Sequence, residues 1–140
     1  MSHLYDTVVT VLWETYTRFH GTHQIFKEKK MRDYKKSVAW QRADEVTLSI
    51  YAATRNFPKE ESFGLTWQIR KASDSVASNI AEGAARESKR ESLHFLYIAS
   101  GSLTETEYFL HLSHRLAYLS QDEYVSLSEW CNRTFAALHG

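Results

Sequence analysis

Apolar residues recur at helical spacing along most of the chain. Ala39, Ala43, Val46, Ile50 and Ala53 make one stripe, widened by Trp40, Thr47 and Thr54, with Gln41, Glu45 and Leu48 opposite. This predicts a first bundle helix over about 35–55. Asn56-Phe57-Pro58 ends it, because the residue before a proline is pushed out of the helical region. Leu65, Ile69, Ala72, Val76, Ile80 and Gly83 predict a second helix over about 63–85. Ser73, Ala77 and Ala84 lie beside that stripe, and residues this small let a neighbouring helix come close.

Two Ser-x-x-Glu sequences, Ser88 to Glu91 and Ser120 to Glu123, are capping boxes that open a third and a fourth helix. The third is expected to reach about Leu119. Its apolar residues form two adjoining faces: Phe95, Leu96, Ala99, Leu103, Leu110 and Ala117 on one, and Ile98, Phe109, Leu112 and Leu116 on the other. Tyr97 and Tyr108 add a further strip. Together these exceed the roughly 100° stripe of an ordinary surface helix. The third helix should therefore meet partners on two sides, within its own bundle or in a second subunit. Tyr124, Leu127, Cys131, Phe135 and Leu138 give the fourth helix its core stripe. Short connections force antiparallel neighbours, so the expected fold is all-α, an antiparallel up-down-up-down four-helix bundle.

Residues 1–30 stand apart. Tyr5, Val8, Val9, Leu12, Tyr16 and Phe19 fit a short amphipathic helix over about Leu4–His20, and Thr22–Lys30 reads as a linker. Met31 is a second candidate initiator. The domain division is thus an N-terminal extension, 1–30, and a bundle, 31–140.

The chain has 140 residues, enough for one domain with a sizeable core. Its 17 basic and 17 acidic residues cancel, which argues against a dedicated nucleic-acid binder. The charge is nevertheless uneven: residues 27–36 carry a net +4 and residues 103–140 a net −3. A single cysteine suits a reducing, cytoplasmic setting, and no apolar run is long enough for a membrane span.

Candidate chemistry is sparse. Glu91 and His94 form one Glu-x-x-His, but a di-metal bundle needs two. His111 and His114 fall mainly on the exposed side of the third helix. No metal or other cofactor is expected. Cys131, in an apolar stripe, reads as a core residue rather than a nucleophile. Asn79 and Glu82 on the second helix, and Ser102 and Glu105 on the third, share an i, i+3 spacing. Glu105 falls between Ile98, Phe109 and Leu112, where a carboxylate would need hydrogen bonds or a raised pKa. These four read as a structural polar network, or less simply as an acid–base pair. Arg70 and Lys71, with Arg86, Lys89 and Arg90, form a basic set that repetition in an assembly would strengthen. Trp67 lies on the polar side of the second helix, as a surface residue or as a subunit anchor.

Several stretches carry a family resemblance. They are Trp40-Gln41-Arg42-Ala43, Phe57-Pro58-Lys59-Glu60-Glu61, Phe63-Gly64-Leu65-Thr66 and Gln68-Ile69-Arg70-Lys71-Ala72. Further on come Ser78-Asn79-Ile80-Ala81-Glu82-Gly83, Phe95-Leu96-Tyr97-Ile98-Ala99 and Gly101-Ser102-Leu103-Thr104-Glu105. From Tyr34 to about Ala137 the chain resembles the four helix bundle protein family, also known as the 23S rRNA intervening-sequence or S23 ribosomal protein family. The resemblance implies a self-associating bundle, a homopentamer, with no established enzymatic activity. It also implies kinship with the accessory protein of diversity-generating retroelements, in which a basic pentamer engages nucleic acid. This chain departs from that protein in its zero net charge and in Trp67. The expectation is a non-enzymatic homo-oligomer that binds RNA or DNA. The alternative is a protein–protein adaptor, and a carboxylate- or metal-dependent enzyme comes last.

Overall fold

The computed structural model describes Thr7, Val8, Thr10, Val11, Leu12, Glu14, Thr15 and residues 32–140. The chain divides into two compact units between Met31 and Arg32. In the first, the seven described residues are helical, with Val8, Val11 and Leu12 exposed and the Thr15 hydroxyl donating to the Val11 carbonyl at 2.7 Å. The remainder of the expected Leu4–His20 helix, and the expected linker Thr22–Lys30, lie outside the described residues.

The second unit holds four long helices: α1 (Val38–Thr54), α2 (Leu65–Ala84), α3 (Lys89–Arg115) and α4 (Gln121–His139). Short 3-10 turns at Tyr34–Lys36 and Lys59–Glu61 precede α1 and α2. Each helix touches its neighbours in sequence, α1 closes the ring against α4, and α2 meets α3 most extensively. This is the expected four-helix bundle.

Local chemistry sets the helix starts. The hydroxyls of Ser37, Ser88 and Ser120 accept from the amides of Trp40, Glu91 and Glu123 at the starts of α1, α3 and α4. α2 has no such side chain, since Gly64 is its N-cap. Instead Glu61, in the preceding turn, accepts from the Leu65 amide at 2.8 Å. The helix therefore begins after Phe63, which is left 95% exposed.

The core is the expected stripe of each helix: Ala43, Val46 and Ile50; Leu65, Ile69, Ala72, Val76 and Ile80; Ala99, Leu103, Phe109 and Leu110; Leu127 and Cys131. Among the described residues, five of the six buried hydroxyls are bonded within their own helix, and the sixth, on Thr66, has no hydrogen-bond partner. Thr54, Thr106, Ser113 and Thr134 each donate to the carbonyl four residues back, and Ser73 to the one three back. Each donor is thereby satisfied inside its own helix. α2 and α3 come close at Gly83. A Cβ there would stand 3.1 Å from both the Phe95 Cβ and the Ser92 carbonyl oxygen.

α3 is shorter than its apolar pattern implies. It ends at Arg115, with Leu116 as C-cap and Ala117 in the left-handed region at φ 61°. Tyr118 donates its amide to the Ser113 carbonyl and Ala117 to that of His114, the pair of bonds that defines a Schellman motif. Glycine normally fills this position. The alanine hid the helix end in the sequence, and it leaves Ala117 exposed instead of on a core face.

Two substitutions test this account. An L-residue in the left-handed region costs roughly 1–2 kcal/mol, partly offset by the greater unfolded-state freedom of glycine. Ala117→Gly should raise stability by about 0.5–1 kcal/mol, seen as a higher urea midpoint at unchanged slope. Gly83→Ala should lower it by about 1–2 kcal/mol, because overpacking between two fixed backbones outweighs the propensity gain. A stabilised Gly83→Ala protein would show that the α2–α3 contact is looser than its distances.

Candidate nucleic-acid interface

The five expected basic residues separate into two groups. Arg70 and Lys71 are in the second turn of α2, while Arg86, Lys89 and Arg90 cluster at the α2–α3 connection. At 1.5 Å per residue the groups are about 24 Å apart along α2. Within one subunit they do not form one patch.

Two of the five are engaged inside the fold. Arg70 donates through Nε to the Thr54 hydroxyl at 2.8 Å and through Nη2 to the Tyr51 carbonyl at 3.4 Å, and its guanidinium lies 4.6 Å over the Tyr51 ring. It ties α2 to the end of α1. Arg86 pairs with Glu82 at 2.7 Å and lies 4.6 Å over the Phe95 ring. Lys71 is exposed, with its ammonium 4.6 Å over the Trp67 ring. Lys89 and Arg90 are exposed beside Leu93, His94 and Tyr97, with which they line a shallow cleft.

The expected polar network forms in part. Asn79 donates from Nδ2 to the Ser75 carbonyl at 2.7 Å and to the Ser75 hydroxyl at 2.9 Å. The Ser75 and Ser102 hydroxyls are 2.8 Å apart, which carries the chain across to α3. Ser75 is the missing link. Its signal was the i, i+4 spacing to Asn79, on which the i, i+3 reading passed over it. Glu82 belongs elsewhere, with Arg86. Glu105 corrects an expectation: it is exposed, and lines a cleft with Trp67, Lys71, Ser75 and Ser102. Of the second apolar face of α3, Phe109 and Leu112 are covered by the core while Ile98 and Leu116 stay exposed, and Glu105 lies on the uncovered side.

The remaining candidates are accounted for by packing. Cys131 is fully buried, and burial, with the nearby Glu107 charge second, pushes its thiol up to about 12. Such a thiol stays protonated and is a poor nucleophile. Glu91 donates its amide to the α3 cap, His94 makes an edge contact with Phe95, His114 stacks on Tyr124 at 4.5 Å, and His111 is exposed. Among the described residues no three His, Cys, Asp or Glu side chains converge on a metal-sized site, and no helix is long and apolar enough to cross a membrane.

Glu107 was not singled out by the sequence. It is half-buried on the α4 side of α3, and burial raises its pKa. An acid with a raised folded-state pKa holds its proton more tightly when folded, so it favours the fold at low pH and opposes it once ionised. Glu107→Gln should therefore raise the melting temperature at pH 7. The gain should shrink as the pH falls through the raised pKa and disappear below the ordinary value of 4.5. A pH-independent difference would mean that the carboxylate charge is not what the site disfavours.

Comparison with known proteins agrees with this architecture. The model of the 23S rRNA-intervening sequence protein family matches residues 35–140. A crystal structure of a protein of unknown function from the S23 ribosomal protein family of Bacteroides thetaiotaomicron is similar at 26% identity. The likeness has a TM-score of 0.65 and covers 72% of this chain and 94% of that one. The comparison with curated proteins found no match. By its bundle and by the extent of the family match, the chain belongs to the 23S rRNA-intervening sequence protein family.

Proposed function

We propose that this protein is a non-enzymatic, homo-oligomeric scaffold that binds nucleic acid. The observation that carries the reading is the outer face of α3. Leu93, Tyr97, Ile98, Tyr108 and Leu116 are exposed there, within an arc of about 140° of the helix. Amid them is Gly101, where an added Cβ would meet nothing within 4 Å. A glycine inside a 27-residue helix costs roughly 0.5–1 kcal/mol relative to alanine, and among the described residues nothing lies within 4 Å of where its Cβ would be. Close approach by a helix of a second copy gives the glycine a purpose, and it covers the tyrosines.

The cations left free by the fold support the second half of the reading. Lys71, Lys89 and Arg90 are exposed, and each added subunit multiplies them. The family name refers to an rRNA intervening sequence, which accords with a nucleic-acid partner.

Light scattering tests both halves. The protein should run at several times its 16.3 kDa chain mass, and Tyr97→Glu with Tyr108→Glu should return it to a monomer of unchanged helicity. The assembly should gain mass with a short RNA at low salt and lose it at high salt, and Lys89→Ala with Arg90→Ala should weaken that gain. An assembly indifferent to RNA would favour a protein–protein adaptor. A wild-type monomer would overturn the scaffold.

A further inference from the structure

The α1–α2 groove holds aromatic rings and cations in alternation. Tyr51, Ser62, Thr66, Trp67, Arg70, Lys71 and Asp74 line a cleft of about 320 Å3. Ligand clefts run from about 300 to 1,000 Å3, so this one suits a single nucleotide and excludes a duplex. Both rings already carry a cation, Arg70 over Tyr51 and Lys71 over Trp67. Trp67 is 51% exposed, a large apolar surface kept in water on a helix whose other apolar residues face the core. Its ring also borders the α2–α3 cleft of Ser75, Ser102 and Glu105, so it stands as a wall between two grooves. The Thr66 hydroxyl, in the cleft lining, is buried and has no hydrogen-bond partner.

We infer that this cleft is a stacking site for one unpaired base of a single-stranded nucleic acid, with Trp67 as the platform and Lys71 and Arg70 beside the phosphate. The inference rests on the nucleic-acid reading above and names where the strand would be gripped. An aromatic face with an adjacent cation fits a base and its phosphate together, and stacking requires a base free of its pair. The acidic group present limits the site. Asp74 accepts from the Tyr51 hydroxyl at 2.9 Å and opposes phosphate on its own side of the cleft. Arg70 and Lys71 against Asp74 leave a single net positive charge, which suits one phosphate and not a run of them. Arg70 is pinned by its bonds to Thr54 and Tyr51, so Lys71 is the cation free to move from ring to phosphate.

Tryptophan fluorescence with a ten-nucleotide oligouridine tests this directly. Trp67→Ala should weaken binding about tenfold or more, by the same factor at low and moderate salt, because stacking releases no counterions. Trp67→Phe should keep most of the affinity while losing the quenching that belongs to Trp67 rather than to Trp13, Trp40 or Trp130. A duplex of the same length should leave Trp67 emission unchanged. Trp67 is exposed, so both variants should melt like the wild type. If Trp67→Ala binds the oligonucleotide as the wild type does, the stacking site is wrong and the scaffold reading stands. If the wild type binds no oligonucleotide, the nucleic-acid reading itself fails and this inference falls with it. If Trp67→Ala changes the assembly mass and not the affinity, Trp67 is a subunit contact and the inference is overturned.

Discussion

The close seat of α2 on α3 governs the rest of the molecule. Gly83 lets the two backbones meet where any larger residue would press on Ser92 and Phe95, and the Ser75–Ser102 hydroxyl contact fixes the same pair nearer its middle. A small-residue ridge gains dispersion contact through proximity rather than through side-chain bulk. With α2 on one side and α4 on another, the core-facing residues of α3 are covered. Its third side, with Tyr97, Gly101 and Tyr108, is exposed among the described residues. The exposed face of α3 is thus a direct consequence of how tightly α2 takes up its own.

The bundle's polar groups follow a rule that keeps this packing affordable. Apart from Thr66, the buried Thr and Ser hydroxyls donate within their own helices, so core hydroxyls place few demands on the register between helices. Cross-helix polar contacts are specific: Thr47 to the Ser73 carbonyl, Tyr51 to Asp74, Ser75 to Ser102, Ser100 to His139, Arg42 to the Arg133 carbonyl, and Arg70 to Thr54 and the Tyr51 carbonyl. Arginine serves here as a structural tie as much as a charge. Its planar head stacks on an aromatic ring while its donors reach backbone or hydroxyl oxygens. That is why residues chosen for their charge, Arg70 and Arg86, turn out to be occupied.

The fold was legible in the sequence because helical periodicity and serine caps are local signals. α1, α2 and α4 follow their stripes to within a few residues, and the serine N-caps of α3 and α4 were read from their Ser-x-x-Glu sequences, whereas Ser37, which lacks that glutamate, was passed over. The end of α3 was not legible, since Ala117 adopts a glycine conformation without being glycine. The candidate site was less legible still. Periodicity ranks positions by face, but it does not say which parts of the two adjoining faces on α3 the chain itself covers. Glu105 was therefore placed in an apolar setting that only part of the bundle provides. Ser75 and Tyr51 depend on contacts between helices, at separations of 27 and 23 residues, and no spacing within one helix announces them.

The balance of charge bears on how such a protein could hold a nucleic acid. Affinity drawn from phosphates grows with the number of cations offered and falls steeply with salt. This chain carries no net charge, so its long-range electrostatic pull on a polyanion is weak unless subunits bring basic surfaces together. Stacking has no such dependence on copy number or ionic strength. At the proposed stacking site, the half-exposed Trp67 beside Lys71 would add from one subunit a contact that does not depend on net charge. On the proposed reading, the open face of α3 would multiply weak contacts through assembly, and the ring of Trp67 would add one that salt does not screen.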